Sequence, residues 1–130
     1  MQAVEYGVGR DLTGSYDQVL PRVLEALKAE GFGVITEIDV QQTMKEKLGV
    51  DGRPHRILGA CNPKLAHAAM EVEPDLGVLL PCNIDVYEVD SGTRVVAVNA
   101  GAMMGMIGNE ALTPIADEVQ TRLGRVLESL

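Results

Sequence analysis

Alternation of apolar and polar residues marks the parts of the chain that favour β-strands. Residues 3–8 alternate in this way and predict a first strand, with a glycine-bounded turn over 9–14. Two β-rich stretches, 32–39 and 55–61, predict the next strands. From Leu76 the chain is predicted to be extended, and after a proline it forms a β-hairpin that ends at Asn99.

Helical spacing of apolar residues predicts a first helix after residue 14. Ser15 and Gln18 form a capping box, and Gly31 fits the position just past the end of the helix. Pro21 conflicts with this pattern because it removes a backbone hydrogen bond and crowds the preceding turn. The sequence therefore predicts either a kink at Pro21 or a later start of the helix.

The remaining helices are predicted by caps and prolines. Asp39 caps a short helix that ends at Gly49, and an Asn-Pro pair begins a helix over 64–73. A Thr-Pro pair begins the last helix, at 113–130, whereas the Gly- and Met-rich stretch 100–108 is predicted to be a loop or a short turn of helix. Strands interleave with helices but end in an antiparallel pair. The predicted fold class is therefore α+β in two layers, a mainly antiparallel sheet with helices on one face, in a single domain 1–130.

Composition and charge narrow the function. The chain has a net charge of −8, and only 3% of its residues are aromatic. This charge repels phosphate backbones and anionic membranes, and few aromatic rings are present for base stacking, so no nucleic-acid or membrane partner is expected. With no basic, apolar leader and no span-length apolar run, the predicted localisation is cytoplasmic.

The candidate chemistry lies in the segments Cys61-Asn62-Pro63 and Pro81-Cys82-Asn83, which contain the only two cysteines. Cys61 comes one residue before a helix cap, where free amides and the helix dipole favour thiolate. If the strand that ends at Cys61 and the strand that begins at Cys82 are neighbours, the two Cys-Asn pairs meet at one end of the sheet and form a polar pocket. The structural alternatives are that the cysteines are small apolar core residues and that the asparagines are a cap and a turn residue.

Other candidates are less specific. Gly59 inside a strand predicts a bulge or a close backbone approach. His67 could act as a base near Cys61 or join the two cysteines as a metal ligand, although the chain has no CxxC or HxxxH spacing typical of zinc sites. Met103, Met104 and Met106 could add thioethers to a copper(I) site, but Met-rich segments more often serve as core or contact surface.

The run 57–63, together with 79–84, resembles the bacterial and archaeal family known as domain of unknown function 302. The similarity extends over nearly the whole chain, including Gly31-Phe32-Gly33-Val34. It implies a fold similar to that of the TATA-box-binding protein and association as a homodimer, but no activity, substrate or cofactor. The positions it favours for any site are Gly59, Cys61, Asn62, Pro63, Pro81, Cys82 and Asn83.

Three hypotheses follow. The first is a cytosolic homodimeric binding or accessory domain in which the Cys-Asn segments bind a small ligand or a metal. The second is a thiol-dependent redox or transfer enzyme with Cys61 as nucleophile and Cys82 as resolving thiol. The third is a structural module whose apolar segment 103–107 forms a subunit interface.

Overall fold

The strands form one antiparallel sheet. A computed structural model describes residues 2–130, with side chains from residue 5 onward. Within that range the sheet has six strands in the spatial order β1-β2-β6-β5-β4-β3, and every neighbouring pair is antiparallel. The bounds are β1 Gln2–Val4, β2 Gly7–Leu12, β3 Gly33–Asp39, β4 His55–Cys61, β5 Cys82–Val89 and β6 Gly92–Val98.

Helices occupy the connections between strands and the C-terminal segment. Their bounds are α1 Tyr16–Ala29, α2 Val40–Leu48, α3 Pro63–Val72, α4 Ala100–Gly105 and α5 Thr113–Glu128. Short 3₁₀ turns cover 74–79 and 110–112. The predicted α+β class is confirmed. Within residues 2–130, the helices are all too short or too polar to cross a bilayer.

The strand register explains where the core lies. Pairing of Leu58 with Ile84, and of Val86 with Val95, places these four fully buried side chains on one face of the sheet. Helices α1 and α5 pack against that face and contribute Val19, Val23, Leu27, Leu123, Val126 and Leu127. We call the other face of the sheet the open face. It carries the alternate residues of the same strands, among them Asn83, Asp85, Tyr87 and Arg94.

The N-terminal prediction is wrong in detail. A turn at Glu5 and Tyr6 divides the predicted first strand, and Tyr6 is exposed. The predicted turn over 9–14 is mostly strand, because β2 continues to Leu12 in register with β6. An added Cβ at Gly9 would lie 2.8 Å from Nη2 of Arg94, the end of a flexible side chain that packs over this glycine. Glycine here signals a close side-chain approach rather than a turn.

Two further predictions are corrected by local structure. Helix α1 starts at the Ser15 cap, so the alternative of a later start is wrong, and Pro21 lies inside the helix on its exposed side. The stretch after Leu76 is a 3₁₀ turn rather than extended chain, and β5 begins only at Cys82, after a cis peptide bond between Leu80 and Pro81.

Candidate functional site

A cavity of about 270 Å³ lies where β4 and β5 meet helix α3. The end of β4 supplies Ala60 and Cys61, the start of β5 supplies Cys82, and α3 supplies one face. The walls are mostly apolar: Phe32, Ile35, Leu65, Ala66, Ala69, Met70, Leu80, Pro81, Met104 and Val119, with Asn62 and Gly77 completing the lining. A dry apolar cavity of about 150 Å³ can hold benzene, so this one has room for a somewhat larger apolar molecule.

Both cysteines are among the residues that line this cavity, and neither forms a disulfide. The pairing of Ala60 with Cys82 makes Cys61 a near neighbour of Cys82 at the end of two adjacent strands. Cys61 is half-buried, whereas Cys82 is buried. Burial, with a smaller contribution from the nearby Cys61, raises the pKa of Cys82 to about 11. Cys82 is therefore a neutral thiol at physiological pH.

Asn62 and Pro63 form the start of α3, as the sequence predicts. The Asn62 side chain accepts a hydrogen bond from the Leu65 backbone N–H at 3.4 Å, and Pro63 occupies the first turn. Asn62 lines the cavity, but Pro63 faces a separate shallow groove beside Arg122. The helix start thus supplies one edge of the cavity while its asparagine oxygen is used as a cap.

The two Cys-Asn pairs do not combine into one polar pocket. Asn83 lies on the open face, on the opposite side of β5 from Cys82, because successive strand residues point to opposite faces. Gly59 is also on that face, where Thr36 Oγ1 and the Pro81 ring lie 2.0 Å and 2.8 Å from the position of an added Cβ. Side chains rather than another backbone limit the space at Gly59, so the predicted backbone approach is not found there, and the irregularity in pairing lies on β3, between Val34 and Thr36.

His67 does not join the thiols. Its side chain is exposed on α3, with Nε2 3.6 Å from a carboxylate oxygen of Glu71. Among the residues that the structure describes, no group of three or more His, Cys, Asp or Glu side chains is arranged to hold a metal ion. The sulfur-containing residues that line the cavity are Cys61, Met70, Cys82 and Met104.

The Met-rich segment is largely internal. The segment over 100–105 is helix α4, and Met104 is buried in a small second cluster with Leu76 and Leu112. Met103 and Ile107 pack against the same cluster, and Met106 is exposed. A charged residue at position 104 would therefore disrupt the core of this chain. A loss of association in such a variant would not show that the segment 103–107 forms a subunit interface.

A polar network on the open face was missed at the level of sequence. Arg94 Nη1 lies 3.0 Å from Asp11 Oδ1, and hydrogen bonding to Asp11, with a smaller contribution from Tyr87, raises the pKa of Arg94 further. His55 pairs with Asp85, and its ring lies 5.2 Å from that of Tyr87. The signal was available, because polar residues alternate along β5 and β6. Only the strand register shows that these polar residues, which belong to different strands, lie side by side.

The fold and the cavity together define a small α+β domain with an apolar, thiol-containing cavity at the end of its sheet. The family model for "Domain of unknown function DUF302" matches residues 8–130, and the chain belongs to that family. Among solved structures, one similar protein is the uncharacterized conserved protein DUF302 from Bacillus stearothermophilus, whose crystal structure is 30% identical with a TM-score of 0.88. The match covers 95% of this chain and 97% of that one. No curated protein matches this chain.

Proposed function

We propose that the protein is a homodimeric binding or accessory domain of the cytoplasm, and that its thiol-containing cavity takes a small, uncharged, largely apolar ligand. The observation that carries the proposal is the lining of the cavity. Eleven of its side chains are aliphatic, aromatic, thioether or proline groups, and its polar member, Asn62, already uses its side-chain oxygen as a helix cap. A charged ligand would lose its hydration there without gaining a counter-ion.

The thiols give the cavity limited polarity rather than strong reactivity. Cys82 is neutral at physiological pH because its pKa is raised to about 11. A neutral thiol is a weak hydrogen-bond donor that suits an apolar molecule with one soft or carbonyl group. Cys61 then contacts the ligand at the more exposed end.

The thiol enzyme is the second candidate, and the shared cavity of Cys61 and Cys82 favours it. In that mechanism the Cys61 thiolate attacks a disulfide substrate and releases one thiol. Cys82 then displaces the second thiol and forms an intramolecular disulfide. The raised pKa of Cys82 slows this second step at neutral pH, since thiolate is the attacking species. The binding domain is therefore preferred.

The test is binding of indole, measured by titration calorimetry and by two-dimensional NMR. Ala66 lines the cavity and Ala68 is exposed two residues later on the same helix, so Ala66→Phe and Ala68→Phe are a matched pair. We expect saturable binding of one indole per chain, abolished by Ala66→Phe and retained by Ala68→Phe. Cys61→Ala should weaken binding without loss of the fold. Absence of saturable indole binding to the unmodified chain would refute the apolar cavity as a ligand site.

A further inference from the structure

A second cleft, of about 410 Å³, lies on the open face of the sheet, over strands β2, β5 and β6. Strand β2 lines it with Gly7, which has no side chain, and β6 lines it with Val96 and Val98. We call this the open-face cleft. Helices α1 and α5 pack on the opposite face, so the groups in this cleft are not part of the main core.

Two tyrosines line the open-face cleft, although the chain is poor in aromatic residues. It has three Tyr, one Phe and no Trp, and two of these four rings, Tyr6 and Tyr87, lie here. Tyr6 is 77% exposed, so its ring contributes little to the core. The Tyr87 ring lies 5.2 Å from that of His55. The face of a tyrosine ring carries negative charge density and attracts cations.

Asp85 supplies a carboxylate to the same cleft. His55 Nε2 pairs with its Oδ1, and no described residue makes a hydrogen bond to its second oxygen. The Asp85 side chain is 38% exposed, so that oxygen can accept hydrogen bonds from a ligand. Asn83 lies two residues earlier on the same face of β5 and adds an amide oxygen. The cleft therefore offers acceptors to a group with several donors, such as an ammonium.

The charges around the open-face cleft favour a cation over an anion. Arg94 lines the cleft, and its Nη1 lies 3.0 Å from Oδ1 of Asp11, so this carboxylate offsets the guanidinium charge. With Asp85 added and His55 neutral, these groups leave one negative charge at the cleft. The whole chain carries −8, which attracts cations toward the molecule and repels anions.

We propose that the open-face cleft is a second ligand site, which takes a small organic ammonium ion with an aromatic or apolar body. The ammonium donates to the Asp85 carboxylate, and the body of the ligand lies against Val96, Val98 and the tyrosine rings. Cleft and cavity lie on opposite sides of β5, because Asn83 lines the first and Cys82 the second. Binding of the amine is therefore independent of the ligand in the proposed function.

The experiment is a two-dimensional NMR titration with 2-phenylethylamine, and with 2-phenylethanol as the neutral analogue of the same shape. We expect saturable shifts of backbone amides around Asp85 and Val96. The amine should bind about tenfold or more tightly than the alcohol, because a hydrogen bond to a charged group is stronger than one between neutral groups. Affinity for the alcohol equal to that for the amine overturns the proposal.

Three variants locate the site. Asp85→Asn removes the charge, keeps the shape and retains an acceptor for His55, and it should raise the dissociation constant of the amine about tenfold or more. Asp75→Asn is the matched control, because it removes the same charge from an exposed position in the 3₁₀ turn 74–79 and should change the affinity little. Tyr6→Ala alters an exposed ring and should weaken binding about threefold without loss of the fold.

The outcomes separate the cleft from the cavity. Equal effects of Asp85→Asn and Asp75→Asn would show attraction by net charge alone and overturn the proposal. Unchanged affinity in Tyr6→Ala overturns it even if the Asp85 variant does not fold. Shifts confined to α3 around Leu65 and Ala66 would place the amine in the apolar cavity and also overturn it. Absence of any saturable shift overturns the open-face cleft alone, since indole tests the cavity separately.

Discussion

Gly59 gives the sharpest test of how β3, β4 and Pro81 fit together. An added Cβ would lie 2.0 Å from Thr36 Oγ1 and 2.8 Å from Pro81 Cγ. Thr36 can rotate away, but the Pro81 ring can move only with the backbone that leads into β5. Overpacking of this kind costs about 1–3 kcal/mol, and two simultaneous contacts favour the upper half of that range. Gly59→Ala should therefore lower the melting temperature by roughly 10 °C in a chain of 130 residues.

Differential scanning calorimetry measures this loss, and two variants control for it. Gly124→Ala changes a glycine in the middle of α5 that has no neighbour within 4 Å, so it should stabilise the protein by about 0.5–1 kcal/mol. Adding Thr36→Ala to Gly59→Ala removes the shortest contact and should recover part of the loss, with the Pro81 contact remaining. A melting temperature of Gly59→Ala equal to that of the unmodified protein would refute the reasoning, as would a double variant that recovers nothing.

Three other perturbations follow from named contacts. The pKa of Cys82 is raised to about 11, against 9.0 for a free thiol, because burial disfavours the thiolate. The free energy of unfolding should therefore be unaffected by this thiol below pH 9 and should fall by about 2–3 kcal/mol as the pH rises to 11. Urea unfolding of Cys82→Ala should not show this loss. Thr93 is fully buried and its hydroxyl donates to the Gly14 carbonyl at 2.9 Å, so Thr93→Val should cost about 1–2 kcal/mol in chemical denaturation, and Thr93→Ser should retain the hydrogen bond. Arg10 Nη1 donates to the Leu127 carbonyl at 2.8 Å, so Arg10→Met should cost about 1 kcal/mol and increase amide exchange in the last turn of α5. An unchanged exchange rate there would contradict the last assignment.

Local signals predicted the helices well because caps act over three or four residues. The Ser15 capping box, the Asp39 and Asn62 caps and the Gly49 stop all lie where the sequence indicates them. Pro21 was misleading because α1 tolerates it on an exposed side, where packing of the opposite face determines the helix. Whether a helix forms despite an internal proline depends on how its apolar face packs, and the local sequence does not contain that information.

The candidate site was predictable only in part because its geometry depends on strand register. The sequence identified Cys61 and Cys82, and the structure brings both to one cavity. It also grouped Asn83 with them, although the alternation of strand side chains sends Asn83 to the open face. The apolar character of the cavity comes from α3, which directly follows Cys61, and from Met104 of α4 and Val119 of α5, which lie far away in the sequence. No local sequence motif indicates that these residues come together in one cavity.

The position of β2 in the sheet determines how the chain can fold. Strands β4, β5 and β6 follow one another within residues 55–98, and a short turn joins β5 to β6. Strand β2 instead pairs with β6 across more than 80 residues, Leu12 opposite Thr93. Closing a loop of that length costs about 4 kcal/mol of chain entropy before any contact is gained. We therefore expect the central strands β4, β5 and β6 to form first and β2 to join them late, together with the C-terminal helix, whose Leu127 carbonyl accepts a hydrogen bond from Arg10.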